Sequence, residues 1–234
     1  MKVVAIIPAA GMGIRMGADT PKQFLLLENM PVLAVTLKLF QECKLIDDII
    51  VLVPEDEIAY CENEIVKRHN FDKVYKVSAG GEKRQDSVRI GLNIAKEIMD
   101  EDDITVIHDG VRPLLEMNTL ERCINEAIRY PAVIVGIPSK DTVKEVDKAG
   151  NVIKTHDREK MWLIQTPQAF RFKEILLAHE KALEYNWTGI TDDSMLLEKL
   201  GIPVKMILGS EQNIKITTPV DLELARFICS KKAT

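Results

Sequence analysis

Nowhere in its 234 residues does the chain hold a run approaching the ~18 consecutive apolar residues a membrane-crossing helix needs. The amino terminus opens on a short strand-like run, residues 3–7, closed by Pro8, which is unlike a secretion signal, so the chain reads as cytosolic. Cysteine is scarce. Cys43, Cys61, Cys123 and Cys229 stand 18, 62 and 106 residues apart, with no Cys-x-x-Cys pair and no histidine at ligand spacing. That argues against structural zinc or a redox pair and for reduced, packed thiols. Glycine and proline are also few, 12 and 10, beside 46% hydrophobic and 29% charged residues. This balance excludes collagen-like, low-complexity and wholly disordered chains. Positive charge is in deficit, 31 Lys and Arg against 36 Asp and Glu, for a net charge of −5. A general nucleic-acid or anionic-membrane partner needs clustered cations, so neither is expected, while a local cationic pocket is still allowed.

What is present is enough for one sizeable domain, taken as spanning 1–234, with about 70% of the unfolded surface buried on folding. Short β-branched runs recur at 3–7, 49–53, 74–77, 104–107 and 133–137, each followed by Pro, Gly, Ser or Asp. Between them lie helical periodicities, the clearest being Val88, Gly91, Leu92, Ala95 and Ile98. Alternating strands and helices predict an α/β fold, doubly wound on a mainly parallel sheet, with the ligand site at the strands' carboxyl ends. From Asp141 to Arg158 the pattern becomes a polar β-hairpin around Asp147-Lys148-Ala149-Gly150-Asn151. Such a hairpin is marginal alone, so residues 141–158 are expected to project as an arm that leans on another surface, a second subunit being one candidate. The α/β pattern then resumes, with an apolar stretch over 161–164, helices over 172–184 and 192–200, a strand over 204–208, and a last helix opened by Thr218-Pro219.

Three polar clusters follow strands. The first, Pro8-Ala9-Ala10-Gly11-Met12-Gly13-Ile14-Arg15-Met16-Gly17, continues to Pro21-Lys22-Gln23. Met16 stands where a dinucleotide-binding GxGxxG needs glycine, and no Gly-Lys-Ser/Thr follows as in a P-loop. Two cations within a glycine-containing loop nonetheless favour phosphate binding over a plain turn. The second, Ser78 to Ser87, carries Gly80, Gly81, Arg84 and Ser87 and suits a base or ribose, or else is a solvated turn capped by Asp86 or Ser87. In the third, His108-Asp109-Gly110-Val111-Arg112-Pro113, Asp109 is the candidate ligand for Mg²⁺ or another divalent cation, against the plainer reading of a helix cap. Thr191 is a further candidate cap, and Lys215 sits in an alternating segment where a solvated face is the ordinary account.

Together, Pro8-Ala-Ala-Gly-x-Gly-x-Arg-Met-Gly, Pro21-Lys-Gln, Gly80-Gly-x-x-Arg-x-x-Ser, His108-Asp-x-x-Arg-Pro, Asp141-Thr, Gln165-Thr-Pro-Gln, Thr191-Asp-Asp and Asn213-Ile-Lys-Ile-Thr resemble the 2-C-methyl-D-erythritol 4-phosphate cytidylyltransferases over nearly the whole chain. The resemblance departs at Gly110-Val111, where that family often has two alanines. It implies a Rossmann-like nucleotidyltransferase acting on CTP and methylerythritol phosphate, with Mg²⁺, as a homodimer whose arm crosses to the partner. Arg15 and Lys22 are implied as catalytic, and Pro8, Ala9, Ala10, Gly11, Gly13, Gly81, Arg84 and Ser87 as CTP-binding. Asp109, Gly110, Arg112, Thr142, Arg158, Thr166, Thr191, Asp192 and Lys215 are implied for the polyol phosphate, with Asp109 near the metal. The ribitol-5-phosphate cytidylyltransferases are the nearest alternative. A nicotinamide-dependent dehydrogenase and a non-catalytic nucleotide sensor fit less well, the first for want of the third glycine, the second because both loop cations are kept.

Overall fold

The computed structural model describes residues 1–11 and 21–232. In chain order the strands are β1 (Val3–Pro8), β2 (Leu26–Leu27), β3 (Met30–Pro31), β4 (Asp48–Val53), β5 (Val74–Ala79), β6 (Ile104–Ile107), β7 (Ala132–Pro138), β8 (Lys144–Val146), β9 (Val152–Thr155), β10 (Trp162–Arg171) and β11 (Lys205–Leu208). The helices are α1 (Val32–Glu42), α2 (Ile58–Tyr60), α3 (Arg84–Ala95), α4 (Met117–Ala127), α5 (Phe172–Glu184), α6 (Ser194–Lys199) and α7 (Pro219–Lys232).

Seven strands form one sheet in the order β11-β7-β10-β6-β1-β4-β5. Every neighbouring pair is parallel except the two that β10 makes, with β6 and with β7. Four of the five short apolar runs are buried strands because their residues serve both faces; the run at 74–77 is instead the edge strand β5, with Tyr75 and Lys76 exposed. Along β1, Val3, Ala5 and Ile7 enter one core and Val4 and Ile6 the other. The first core packs against α1 and α4, through Leu33, Leu37, Phe40, Leu120 and Ile124; the second packs against α3, α5 and α6. That is the doubly wound arrangement. A smaller cluster, Leu27, Val32, Val111, Leu114, Ile216, Leu222 and Ala225, seats α7. Cys43, Cys61 and Cys123 are buried in the first core, where burial pushes the thiols of Cys61 and Cys123 up to about 12 and keeps them protonated.

The apolar stretch over 161–164 is the start of a longer strand. Gln165-Thr166-Pro167-Gln168 continues it as the middle of the ten-residue β10. Proline inside a strand normally marks an edge or a break. Here the pairing with β7 shifts register between Gln165 and Gln168, so Pro167 sits where no ladder donor is required. Thr191 does not cap the next helix. The first free amide, Met195 N–H, is taken by the Asp192 carboxylate at 3.2 Å, and α6 starts at Ser194. The arm forms as expected, β8 against β9, with its strand residues exposed and its turn held by Asp147 Oδ1, which accepts from Ala149 and Asn151 N–H. Gly150, at φ +87°, supplies the left-handed step.

One glycine in the sheet-facing stripe of α3 is there for space. A Cβ at Gly91 would lie 2.6 Å from Cγ2 of Ile6 and 3.1 Å from Cδ2 of Leu52, both wholly buried. Replacing glycine by alanine inside a helix ordinarily gains about 1 kcal/mol, whereas overpacking a filled core costs about 1–3 kcal/mol. Ile6 is β-branched and held in the central strand, so the cost wins. Chemical denaturation of Gly91→Ala is expected to show a net loss of about 1–2 kcal/mol; a stabilised variant would contradict the packing of α3 on β1.

Candidate active site

Three strand ends bring the sequence clusters together. β1 delivers Ala9, Ala10 and Gly11, β5 delivers Gly80 and Gly81 ahead of α3, and β6 delivers His108 and Asp109. Between β1 and β6 the strand order reverses direction, the place where an open α/β sheet leaves a crevice. The antiparallel β10 pairs Gln168 with Ile107, so Gln165 and Thr166 continue past the end of β6 and face the same crevice.

The first two loops touch, which explains the paired glycines. A Cβ on Gly80 would fall 2.3 Å from Cβ of Ala10, and one on Gly81 would fall 2.3 Å from Cβ of Asp86. Ser87 turns its hydroxyl back to accept the Gly81 N–H at 3.0 Å, and the Asp86 carboxylate takes the Lys83 N–H at the start of α3. Asp86 is thus the helix cap, and Ser87 fixes the glycine turn.

At the centre lies Asp109. Its Oδ1 accepts from Arg84 Nε at 2.7 Å, and its Oδ2 stands 2.8 Å from Lys215 Nζ and 3.6 Å from Arg112 Nε. Burial pushes this carboxyl up, but Arg84, Lys215 and Arg112 more than offset that and hold it far below the usual carboxylate range. Arg84 also reaches a second buried carboxylate, Asp193, at 2.6 Å from Nη1. Its burial, which opposes charge, is outweighed by the two carboxylates, and its pKa rises. The remaining guanidinium nitrogen, Nη2, is buried and has no partner among the described residues. Arg112 is fixed by donating to the Asn213 carbonyl at 2.7 Å, while the Asn213 amide donates to the Thr166 carbonyl at 2.8 Å.

Two cavities meet on this cluster. The smaller, about 110 Å³, is lined by Pro8, Ala9, Ala10, Gly11, Lys22, Gly81, Ser87 and their neighbours. The larger, about 500 Å³, is lined by Arg112, Gln165, Thr166, Gln168, Thr191, Asp192 and their neighbours. Arg84, Asp109 and Lys215 wall both. Four cations, Lys22, Lys83, Arg84 and Lys215, face the smaller one against two acids, Glu82 and Asp109. A chain of net negative charge has concentrated positive charge here, as an anionic ligand requires.

Most of the expected site residues therefore converge. Gly13 and Arg15 lie outside the described residues. Gly110 lines neither cavity: its N–H donates to the Pro8 carbonyl and its own carbonyl accepts from Thr36, so it serves the turn. Thr142 and Arg158 are exposed at the base of the arm, where the Arg158 guanidinium donates to the Lys140 carbonyl at 3.4 Å, and neither reaches a cavity. Asp109, expected near the metal, faces three cations here, Arg84 and Lys215 at hydrogen-bond distance and Arg112 at 3.6 Å. No group of three or more His, Cys, Asp or Glu poised for a metal occurs among the described residues. Residues the sequence reading passed over are Asp193, Gln168, Asn213 and His179. Asp193 follows Asp192 directly, and a second acid beside a chosen one was the signal available.

The class defined by this fold and crevice is a nucleotidyltransferase: glycine turns and cations at the switch point of a mainly parallel sheet, with room for two ligands side by side. The sequence profile of the 2-C-methyl-D-erythritol 4-phosphate cytidylyltransferases matches residues 3–231. A protein of that name from Geobacter metallireducens is 47% identical over 232 residues, 99% of each chain, and one from Geotalea uraniireducens is 49% identical over 225 residues, covering 96% of this chain and 95% of its own. The solved 4-diphosphocytidyl-2C-methyl-D-erythritol synthase of Anaerococcus prevotii superposes with a TM-score of 0.82 at 33% identity, over 98% of each chain. The chain belongs to the 2-C-methyl-D-erythritol 4-phosphate cytidylyltransferase family, enzymes that use CTP to make 4-diphosphocytidyl-2-C-methyl-D-erythritol in isoprenoid biosynthesis.

Behind the cluster, His108 is fully buried and links three elements. Asp109 N–H donates to Thr166 Oγ1 at 3.1 Å, so the Thr166 hydroxyl donates to His108 Nδ1 at 3.0 Å, leaving Nε2–H to donate to the Arg112 carbonyl at 3.1 Å. This arrangement needs a neutral ring, and burial lowers the pKa from 6.5 to about 4. The unfolded chain binds the proton first, so this contribution is complete above pH 6.5 and is lost as pH falls toward 4. Urea titrations from pH 7 to pH 4 are expected to show about 3 kcal/mol more loss in the wild type than in His108→Gln; equal losses would contradict the neutral buried ring.

Proposed function

We propose that the whole chain acts as one nucleotidyltransferase domain in which the smaller cavity takes CTP and the larger takes 2-C-methyl-D-erythritol 4-phosphate. The observation that carries this division is the shared wall of Arg84, Asp109 and Lys215 between two cavities. Ala10 and Gly11, with Gly13, offer backbone N–H groups to the triphosphate beside Pro8 and Ala9, whose N–H is taken by the Leu52 carbonyl, and Gly81 and Ser87 bound the slot for the base. Arg112, Thr166, Thr191, Asp192 and Lys215 surround the polyol phosphate. Asp192 is already oriented for this, accepting from Gln168 and Ser194 at 2.7 and 2.8 Å.

The acceptor phosphate monoester is mostly dianionic at neutral pH, so its oxygen attacks without a general base. One P–O bond forms at the α-phosphorus as the bond to the β-phosphate oxygen breaks, and pyrophosphate leaves with the electron pair. The protein's task is to hold two mutually repelling anions in line and to neutralise the charge that gathers on them. Lys22 and Arg15 do so on the nucleotide side, while Arg84 and Lys215, which line both cavities, do so at the junction. The Mg²⁺ expected from the resemblance would be held chiefly by substrate phosphate oxygens and water, since the Asp109 carboxylate is already turned to Arg84 and Lys215.

The active unit is a cytoplasmic homodimer in this reading, joined through the 141–158 arm. Val146, Val152 and Ile153 are 53%, 59% and 61% exposed on the arm, and Leu163 is 57% exposed on β10. A two-stranded ribbon showing these side chains needs a covering surface. Arg158 and Thr142, remote from this chain's own cavities, then complete the partner's larger cavity, Arg158 by bidentate contact with phosphate. Lys22→Ala and Arg158→Ala are each expected to lower kcat/KM by about 10²-fold or more. Mixing the two inactive variants should restore part of the activity, because one site of each heterodimer is intact. Heterodimers that stay inactive would contradict the crossing arm, and a fully active Lys22→Ala enzyme would contradict the assignment of the nucleotide side.

A further inference from the structure

A chain of buried polar groups leads away from the active site to a side chain with no part in substrate binding. Arg84, in the first turn of α3, donates to Asp109 through Nε and to Asp193 through Nη1. Asp193 sits just before α6, and its other oxygen, Oδ1, lies 3.2 Å from Nε2 of His179 on α5. Asp193 and His179 are both 1% exposed. Burial pushes the Asp193 carboxyl up, but Arg84 and the His179 hydrogen bond outweigh it and keep it ionised, so His179 Nε2 carries the proton and donates.

We propose that His179 is a positioning residue for the transfer, setting Asp193 so that Arg84 is held at the junction of the two cavities. An arginine carries five donors on a long side chain, and one carboxylate leaves its plane free to swing. Asp109 and Asp193 together fix Nε and Nη1, and this aims Nη2. Asp193 can do so only if its own second oxygen is engaged, because a buried carboxylate oxygen left without a donor costs about 1–3 kcal/mol and reorients to find one. His179 is the partner the structure gives to Oδ1. Its ring has no second commitment: Nδ1 has no partner, and the histidine lines a groove of about 190 Å³ with Gln85, Arg89 and Trp187. A histidine kept for packing alone would be better replaced at this depth by leucine, which carries no polar atom to desolvate.

This inference rests on the reading of Arg84 as a group that acts at the junction. Steady-state kinetics in both substrates on five variants test it. His179→Leu, which keeps volume and removes the donor, should lower kcat roughly tenfold with each KM within about threefold. His179→Gln, whose amide nitrogen reaches the place of Nε2, should return kcat to within about threefold of wild type. In an Asp193→Asn background, adding His179→Leu should cost less than about twofold more, since both changes break one link. A His179→Leu enzyme with lowered Tm and unchanged kcat, or losses that multiply in the double variant, would overturn the proposal. Arg84→Lys keeps the charge and loses the fork. Unchanged kcat in that variant would instead overturn the role given to Arg84, so the two failures are distinguishable.

Discussion

The structure around the crevice depends on the placement of a single negative charge. Asp109 is buried at the end of β6 and engages Arg84 from α3, Arg112 from the following turn and Lys215 from the segment before α7. Removing a carboxylate from water costs several kcal/mol, and only such near contacts repay it. The converse matters equally. Three cations crowded on one wall would repel one another without Asp109, and a site meant for two polyanions needs those cations assembled before either ligand arrives. One carboxylate thereby ties three parts of the chain, far apart in sequence, into a preorganised anion site.

The fold explains why this charge sits where it does. β1 and β6 are neighbours, yet the chain leaves β1 toward β4 and β5 before returning to β6, so loops on either side of the divide point into one crevice. The antiparallel β10 adds what a parallel strand could not at that position. Its early residues, Gln165 and Thr166, lie beside the carboxyl end of β6, and the Thr166 hydroxyl receives the Asp109 amide. The register shift at Pro167 is part of this placement rather than a defect in the sheet.

Much of this was legible in the sequence, for a physical reason. Buried parallel strands must be apolar on both faces, so the runs at 3–7, 49–53, 104–107 and 133–137 announce themselves, and glycine with cations after such runs marks phosphate chemistry. Residues whose role is set by distant partners were not legible. Asp109 has the look of a metal ligand from its neighbours in sequence, and only the approach of Lys215, 106 residues later, shows it at the centre of a cluster of cations. Asp193 and His179 are unremarkable polar residues until α5 and α6 fold against α3. The strand through Gln165-Thr166-Pro167-Gln168 escaped because proline and two glutamines contradict strand propensity, which the tertiary register overrides. Thr142 and Arg158 carry the opposite lesson: the arm was readable from its turn residues, whereas neither residue at its base reaches a cavity of its own chain.

The central claim is that Asp109 organises cations for substrate phosphate rather than holding a metal. Asp109→Asn keeps the shape and removes the charge, and its kinetics can be measured against the polyol phosphate and against Mg²⁺ separately. The account predicts that KM for the polyol phosphate rises about tenfold or more while the Mg²⁺ concentration giving half-maximal rate stays within about twofold. A tenfold shift in the Mg²⁺ requirement with an unchanged polyol phosphate KM would contradict it.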